Sequence, residues 1–220
     1  MTRETLQVPL GPARAETIVL NSRFIASLDY AESVEAAREF IGRIKAEYPD
    51  ASHNVPAFII GGGKSITEFC SDDGEPSGTS GRPLLSVLRG SGLGNVAVVV
   101  TRYFGGTMLG TGGLVKAYSE AGKKVLEQTR RALLTELTMV RIDLPYSQFD
   151  GLKMSLPRFK ASVASEKFDE MVHLDIDVPI EEVERFLLTL ADISSGAAKA
   201  VFLGSRMAGL PLPDSANSSR

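Results

Sequence analysis

The stretch Val96-Ala97-Val98-Val99-Val100-Thr101-Arg102-Tyr103-Phe104-Gly105-Gly106-Thr107-Met108-Leu109-Gly110-Thr111-Gly112-Gly113-Leu114-Val115-Lys116 changes character twice. Val96–Thr101 is rich in β-branched residues and has no polar alternation until its end. Such a run reads as a central strand buried on both faces. Phe104–Gly113 is then a glycine-rich loop. From Leu114 to about Leu126, Leu114, Tyr118, Ala121 and Val125 share one face of a helix. Upstream, Asp72-Asp73-Gly74-Glu75-Pro76-Ser77-Gly78-Thr79-Ser80-Gly81-Arg82-Pro83 is a second polar loop between a strand-like run and a short helix at Leu84–Leu88. Of the 21 glycines, 14 fall between Gly61 and Gly113. The unusual part of the chain is therefore concentrated there.

Outward from these loops, Ile18–Leu20 and Phe24–Leu28 read as strands. Ser33 can N-cap a helix whose stripe is Val34, Ala37, Ile41, Ile44 and Tyr48, ended by Pro49. Ala57–Ile60 and Ile66–Ser71 make a hairpin around Gly61-Gly62-Gly63. Further on, the order is strand 137–144, helix 146–155, strand 159–165, strand 172–178, helix 180–191, strand 200–203. That is β-α-β-β-α-β, the order of a ferredoxin-like unit. Pro145 and Pro179 stand where its helices begin. The expected organisation is α+β or α/β with two domains, 1–134 and 135–208. A Pro-containing, small-polar stretch at 209–220 is expected to be a disordered tail.

Composition narrows the function classes. The 220 residues carry a net charge of −3, so the chain is not a uniformly basic binder. Residues 1–134 hold 15 basic and 14 acidic side chains, and residues 135–208 hold eight and twelve. A basic patch is therefore expected, if anywhere, in the first domain. The single cysteine, Cys70, forbids an intrachain disulfide and a Cys-rich zinc site. It reads as a small buried hydrophobe. No run approaches the ~18 apolar residues of a membrane span. Met1-Thr2-Arg3-Glu4 opens no signal peptide, so a cytoplasmic protein without a membrane partner is expected.

The loops carry the candidate chemistry. Glycines at a helix entrance leave backbone N–H groups open to an anion. Thr107, Thr111, Ser77 and Thr79 add hydroxyls, and Arg102, Lys116 and Arg82 add charge. The same glycines also serve tight turns and close loop packing. Neither loop fits a named nucleotide motif. Asp72, Asp73 and Glu75 raise the question of Mg²⁺, against capping of backbone N–H groups or pairing with Arg82 or Arg102. His53 has no nucleophile marked beside it by spacing, so no triad is expected. Arg23 is either exposed or paired.

These loop sequences, with Ser22-Arg23-Phe24-Ile25-Ala26 and Ala51-Ser52-His53-Asn54, resemble the signature of the Impact family and of its bacterial, two-domain YigZ-like branch. The likeness spans roughly residues 15–130. Val55 stands where many members have Cys, and Lys116 where many have Arg. The resemblance implies a first domain with the α/β fold of a ribosomal-protein domain, elongation factor G domain IV and galactokinase-type kinases. It implies a ferredoxin-like second domain. Eukaryotic relatives regulate translation by competing for a partner of an initiation-factor kinase.

The leading expectation is a non-enzymatic, translation-related regulator binding RNA or the ribosome. No cofactor, resident metal or catalytic residue is expected. The expected contacts in the first loop and before it are Arg23, His53, Asp73, Glu75, Ser77, Thr79 and Arg82. Those in the second are Arg102, Tyr103, Gly105, Gly106, Gly110, Thr111, Gly112, Gly113 and Lys116. The alternatives are a Mg-dependent phosphoryl-transfer or nucleotide-hydrolysing enzyme, and a protein-docking module.

Overall fold

The computed structural model describes residues 6–63 and 65–212. Among these, the chain forms two compact units, one up to Leu133 together with Gly209–Leu212, the other Leu134–Ala208.

The first unit contains β1 (Gln7–Pro9), β2 (Ala13–Val19), β3 (Ser22–Tyr30), α1 (Val34–Glu47), β4 (His53–Gly62), β5 (Ser65–Cys70), α2 (Gly81–Ser91), β6 (Val96–Tyr103) and α3 (Gly110–Gln128). β7 (Arg131–Leu144) begins in this unit, and its first residues pair with β1. The main sheet has the order β2-β3-β6-β4-β5, and every adjacent pair is antiparallel. β6 is central, and its side chains alternate between two cores. Val96, Val98 and Val100 face Leu84, Leu88, Leu114 and Tyr118 of α2 and α3. Ala97 and Val99 face Ala37, Phe40 and Ile44 of α1. Coverage on both faces explains why Val96–Val100 shows no polar alternation.

Local signals account for the element ends. Ser33 accepts the Ala36 N–H at 3.1 Å, capping α1. Phe40, absent from the expected stripe, is a main buried side chain of that helix. Leu20 and Asn21 both have positive φ, 46° and 66°, giving the twist of a tight two-residue β2–β3 turn. α3 starts at Gly110, four residues before the expected Leu114, so Gly110–Gly113 form its first turn rather than loop.

The second unit continues β7 and adds α4 (Tyr146–Ser155), β8 (Ser162–Phe168), β9 (Val172–Pro179), α5 (Val183–Ser194) and β10 (Lys199–Pro211). β8 pairs β9, β9 pairs β7, and β10 lies on the other side of β7. Val140, Ile142, Leu144, Leu174, Ile176 and Val178 pack on Leu152, Phe159, Phe186 and Leu190. The expected strand at 159–165 is corrected. Leu156–Phe159 is a 3-10 turn closed by Lys160 at φ 51°, and Phe159 is an edge-to-face core partner of Phe186.

The expected tail also needs correction. Gly209–Pro211 belong to β10, and a Cβ on Gly209 would sit 2.9 Å from Ala132. Leu212 N–H donates to the Arg131 carbonyl at 3.1 Å. The rest of the expected tail, 213–220, and the opening Met1–Glu4 lie outside the described residues. Among the described residues, no helix is long and apolar enough to cross a membrane.

Candidate functional site

The two loops are bound together by a buried polar network at one end of the first unit's sheet. Register sets it up, because Arg102 near the end of β6 stands opposite Phe24 of β3 and His53 of β4. Glu75 reaches in from the first loop, and its Oε1 accepts from Arg102 Nη1 at 2.6 Å and from Tyr118 Oη at 2.7 Å. The Arg102 and Glu75 side chains are only 6 % and 3 % exposed. An ion pair this dry is held by geometry and by its extra hydrogen bonds, since Coulomb attraction alone must overcome desolvation of both charges. Burial, reinforced by the carboxylate of Glu75, pushes the Tyr118 hydroxyl far above the usual phenol range. Tyr118 is thus a permanent donor.

The remainder of the first loop is tied to its own surroundings. The Asp72 carboxylate accepts from the N–H groups of Gly78, Ser80 and Gly81 and from the Ser80 hydroxyl. It caps α2 from eight residues away, a task that Ser80, although at the cap position, does not perform with its own side chain. Burial acts to raise the Asp72 carboxyl, but these donors outweigh it and hold it below the usual range. Asp73 accepts from Lys45 Nζ and the Asn54 N–H, both at 2.6 Å. Burial again acts upward there, and the two donors win, lowering its carboxyl. The Asp73 carbonyl lies 2.8 Å from His53 Nδ1, while His53 Nε2 is 3.8 Å from Glu75. Asn54 in turn accepts from the Thr101 hydroxyl at 2.7 Å. All three acids of the loop are engaged by protein donors. Among the described residues, no group of three or more His, Cys, Asp or Glu is arranged to hold a metal ion.

The second loop is pinned to the β2–β3 turn. Gly105 N–H donates to Ser22 Oγ at 3.1 Å, and the buried Arg102 Nη2 is 3.4 Å from the same oxygen. A Cβ on Gly105 would lie about 2 Å from the Asn21 backbone, so only glycine fits. The Phe104 N–H donates to Ser52 Oγ at 3.0 Å. The Arg102 guanidinium lies 5.5 Å from the Phe24 ring and 5.6 Å from the Phe104 ring. Phe104 is 51 % exposed and Met108 is 87 % exposed.

The expected contact residues therefore divide. Glu75, Thr79 and Arg102 are buried and hold the loops, Thr79 by donating to the Pro76 carbonyl. His53, Asp73 and Tyr103 are half-buried, Tyr103 donating its hydroxyl to Asp50 at 2.9 Å. Arg23 is exposed and also paired, with Glu16 at 2.8 Å. Ser77, Arg82, Gly106, Gly110, Thr111, Gly112 and Lys116 face solvent, with Gly105 and Gly113 half-buried. Leu109 at the cap position of α3 has no side-chain acceptor to offer, and the turn that it opens, Gly110–Gly112, is exposed. Ser22, Lys45, Asn54, Phe104 and Tyr118 join the site without having been singled out as contacts. Tyr118 carried the clearest signal, a hydroxyl on an apolar helix face that needs a partner once buried. Cys70 is half-buried at the end of β5, against the core.

Comparison with known proteins gives two family matches. The Impact N-terminal domain matches residues 20–126, and a domain of unknown function, DUF1949, matches 142–197. The chain is 37 % identical to the IMPACT family member YigZ of Escherichia coli K12, over 88 % of this chain and 96 % of that one. It is 34 % identical to the IMPACT family member YvyE of Bacillus subtilis, over 82 % and 83 %. A crystal structure described only as that of a hypothetical protein covers 90 % of this chain and 97 % of its own, at 36 % identity and a TM-score of 0.61.

Proposed function

Since the chain belongs to the IMPACT family, we propose that it is a non-enzymatic, translation-related regulator whose first unit binds RNA or the ribosome through the two glycine-rich loops. One observation carries this reading. The second loop holds a half-exposed aromatic ring, Phe104, and leads directly into the exposed glycine-rich turn Gly110–Gly112 that opens α3. A ring for a base and backbone donors for a phosphate are the two contacts nucleic-acid recognition asks for. Lys116 follows on the same helix with no ion pair among the described residues. The acids that a phosphoryl-transfer reading would assign to Mg²⁺ are engaged in capping and pairing, which favours binding over catalysis.

The strand orders support the finer fold reading. In the second unit, β8-β9-β7 with β10 beyond β7 is the arrangement of a ferredoxin-like sheet. In the first, an antiparallel sheet with helices on both faces suits the ribosomal-protein and elongation-factor type of domain. A cytoplasmic location accords with a ribosomal role.

Ribosome co-sedimentation at low salt, with filter retention of RNA, tests the function. Retention by the wild type and its loss in Lys116→Glu support it, and absence from both fractions refutes it. The protein-docking alternative is favoured by one feature, the exposed Met108 beside Phe104. A stoichiometric protein partner recovered after nuclease treatment would select that alternative.

A further inference from the structure

We infer that Phe104 is a stacking platform for an unpaired nucleobase, so that the RNA bound is single-stranded; this rests on the RNA reading above. Phe24, the Arg102 guanidinium and Phe104 form a column of ring, cation and ring, with spacings of 5.5 and 5.6 Å. Burial falls outward along it, from Phe24 at 0 % through Arg102 at 5 % to Phe104 at 51 % exposed. The column thus ends on a ring that is half exposed to solvent. A cation beneath a ring draws on its negative face and lessens the repulsion that a second π-system meets when it stacks on top. The platform is also pre-organised. Its backbone is fastened by the Ser52 and Ser22 hydroxyls, and Gly105 packs so closely on Asn21 that a Cβ would not fit. Little ordering entropy is then lost on binding.

Charge argues against a duplex ligand. Arg14, Arg23 and Lys45 are engaged by Glu47, Glu16 and Asp73. Arg82 in the first turn of α2 and Lys116 in α3 are the exposed cations of the two motifs left without an ion pair among the described residues. About two phosphates can be neutralised, so the salt slope for a single strand should be about −1.4, far below what duplex binders show. Stacking has to supply the remaining affinity, and a duplex keeps its bases stacked on one another.

The test is fluorescence anisotropy on the full chain with a labelled RNA of about 12 nucleotides, single-stranded or annealed to its complement. The single strand should bind at least about tenfold more tightly. Phe104→Ala should weaken it about 5- to 150-fold, the range that one base stacked on an aromatic residue contributes. Phe104→Trp should retain binding, and urea midpoints of both variants should show that the fold is kept. If strand and duplex bind equally, or Phe104→Ala binds like wild type, the stacking inference fails while RNA binding stands. If neither RNA binds but the protein sediments with ribosomes, the inference fails and the contact is ribosomal protein or structured RNA. If nothing binds, this inference and the reading beneath it both fail. A nuclease-resistant protein partner lost on Phe104→Ala would reassign the ring to protein docking.

Discussion

Replacing Glu75 by Met removes the counter-charge from a guanidinium that has almost no water to turn to. Arg102 is 6 % exposed at the side chain and loses its 2.6 Å partner, and the Tyr118 hydroxyl loses its 2.7 Å acceptor. Breaking a buried ion pair from one side costs about 3–5 kcal/mol. Total stability of a domain is about 5–15 kcal/mol, so the loss is a large fraction of it. With a urea slope of about 2 kcal/mol/M, the midpoint of the first unit should fall by about 2 M. The reasoning turns on the stranded charge and not on the lost volume, and a double substitution isolates it. Glu75→Met with Arg102→Met leaves no charge to desolvate, so it should be more stable than Glu75→Met alone. Urea unfolding followed by circular dichroism on wild type, both single variants and the double variant closes the cycle. The account is refuted if Glu75→Met costs less than about 1 kcal/mol, or if the two substitutions add within about 0.5 kcal/mol.

Other expectations are simpler to check. Gly105→Ala should destabilise by about 1–3 kcal/mol or more, because its Cβ meets the Asn21 backbone, and the loss should appear in thermal melts. Gly112→Ala should raise stability by about 0.5 kcal/mol, since that position has no close neighbour and no positive φ; a lower melting temperature would show the first turn of α3 misread. Ser33→Ala should cost about 1 kcal/mol in urea unfolding by removing the cap of α1.

In the second unit, His173 is held at 2.5 Å by Asp143 and at 3.0 Å by Asp169. These bonds raise its pKa above 6.5, while the His173 bond, with the Met171 N–H and Lys167, holds Asp169 well below the usual carboxylate range. The stabilisation from His173 is therefore complete below its unfolded pKa and is lost as pH rises through the raised value. That from Asp169 is present above its unfolded pKa and is lost as pH falls toward its depressed one. Protection factors of the β8–β9 hairpin amides, taken after correction for the intrinsic rise of exchange with pH, should be highest between these limits. An imidazole pKa at or below 6.5 by NMR titration would contradict the geometry.

How much of this was legible in the sequence depends on the range of the forces involved. β6 could be read from Val96–Thr101 because a strand buried on both faces loses its polar alternation. α1 could be read from Ser33 and its stripe, since a cap and a 3.6-residue period are local. The helix expected at 146–155, behind Pro145, has the bounds of α4. α3 starts ahead of the expected Leu114 although four residues containing three glycines carry little helix propensity, because the turn forms there as the lead-in to a packed helix. Phe159 opens the expected strand at 159–165, whereas in the structure it ends a 3-10 turn with its ring against Phe186. β1, three residues ending in Pro9, is set by distant partners, Arg131–Leu133 on β7 and the bridge of Gln7 to Leu93. Asp72 and Asp73 could be foreseen as capping or pairing groups, but not their partners. Pairing of a loop acid with Arg102 is among the sequence expectations, but nothing local in the sequence marks Glu75 as that acid or joins Tyr118 to the pair. The three are brought together by sheet register and by helix packing.

The antiparallel order β2-β3-β6-β4-β5 has a temporal consequence. Ser22 and Arg102 are separated by 80 residues in sequence, Ser22 and Gly105 by 83, and Glu75 and Tyr118 by 43. Loops that long close slowly, so these contacts weigh on folding speed. During synthesis the first loop emerges well before Tyr118, and until then Glu75 has no hydroxyl to receive and no roof from α3. The platform at Phe104 is accordingly a property of the finished domain. A nascent or nicked chain retains the glycine-rich motifs without the full network that ties the loops together, so the recognition proposed for that ring would also report that the first unit has folded.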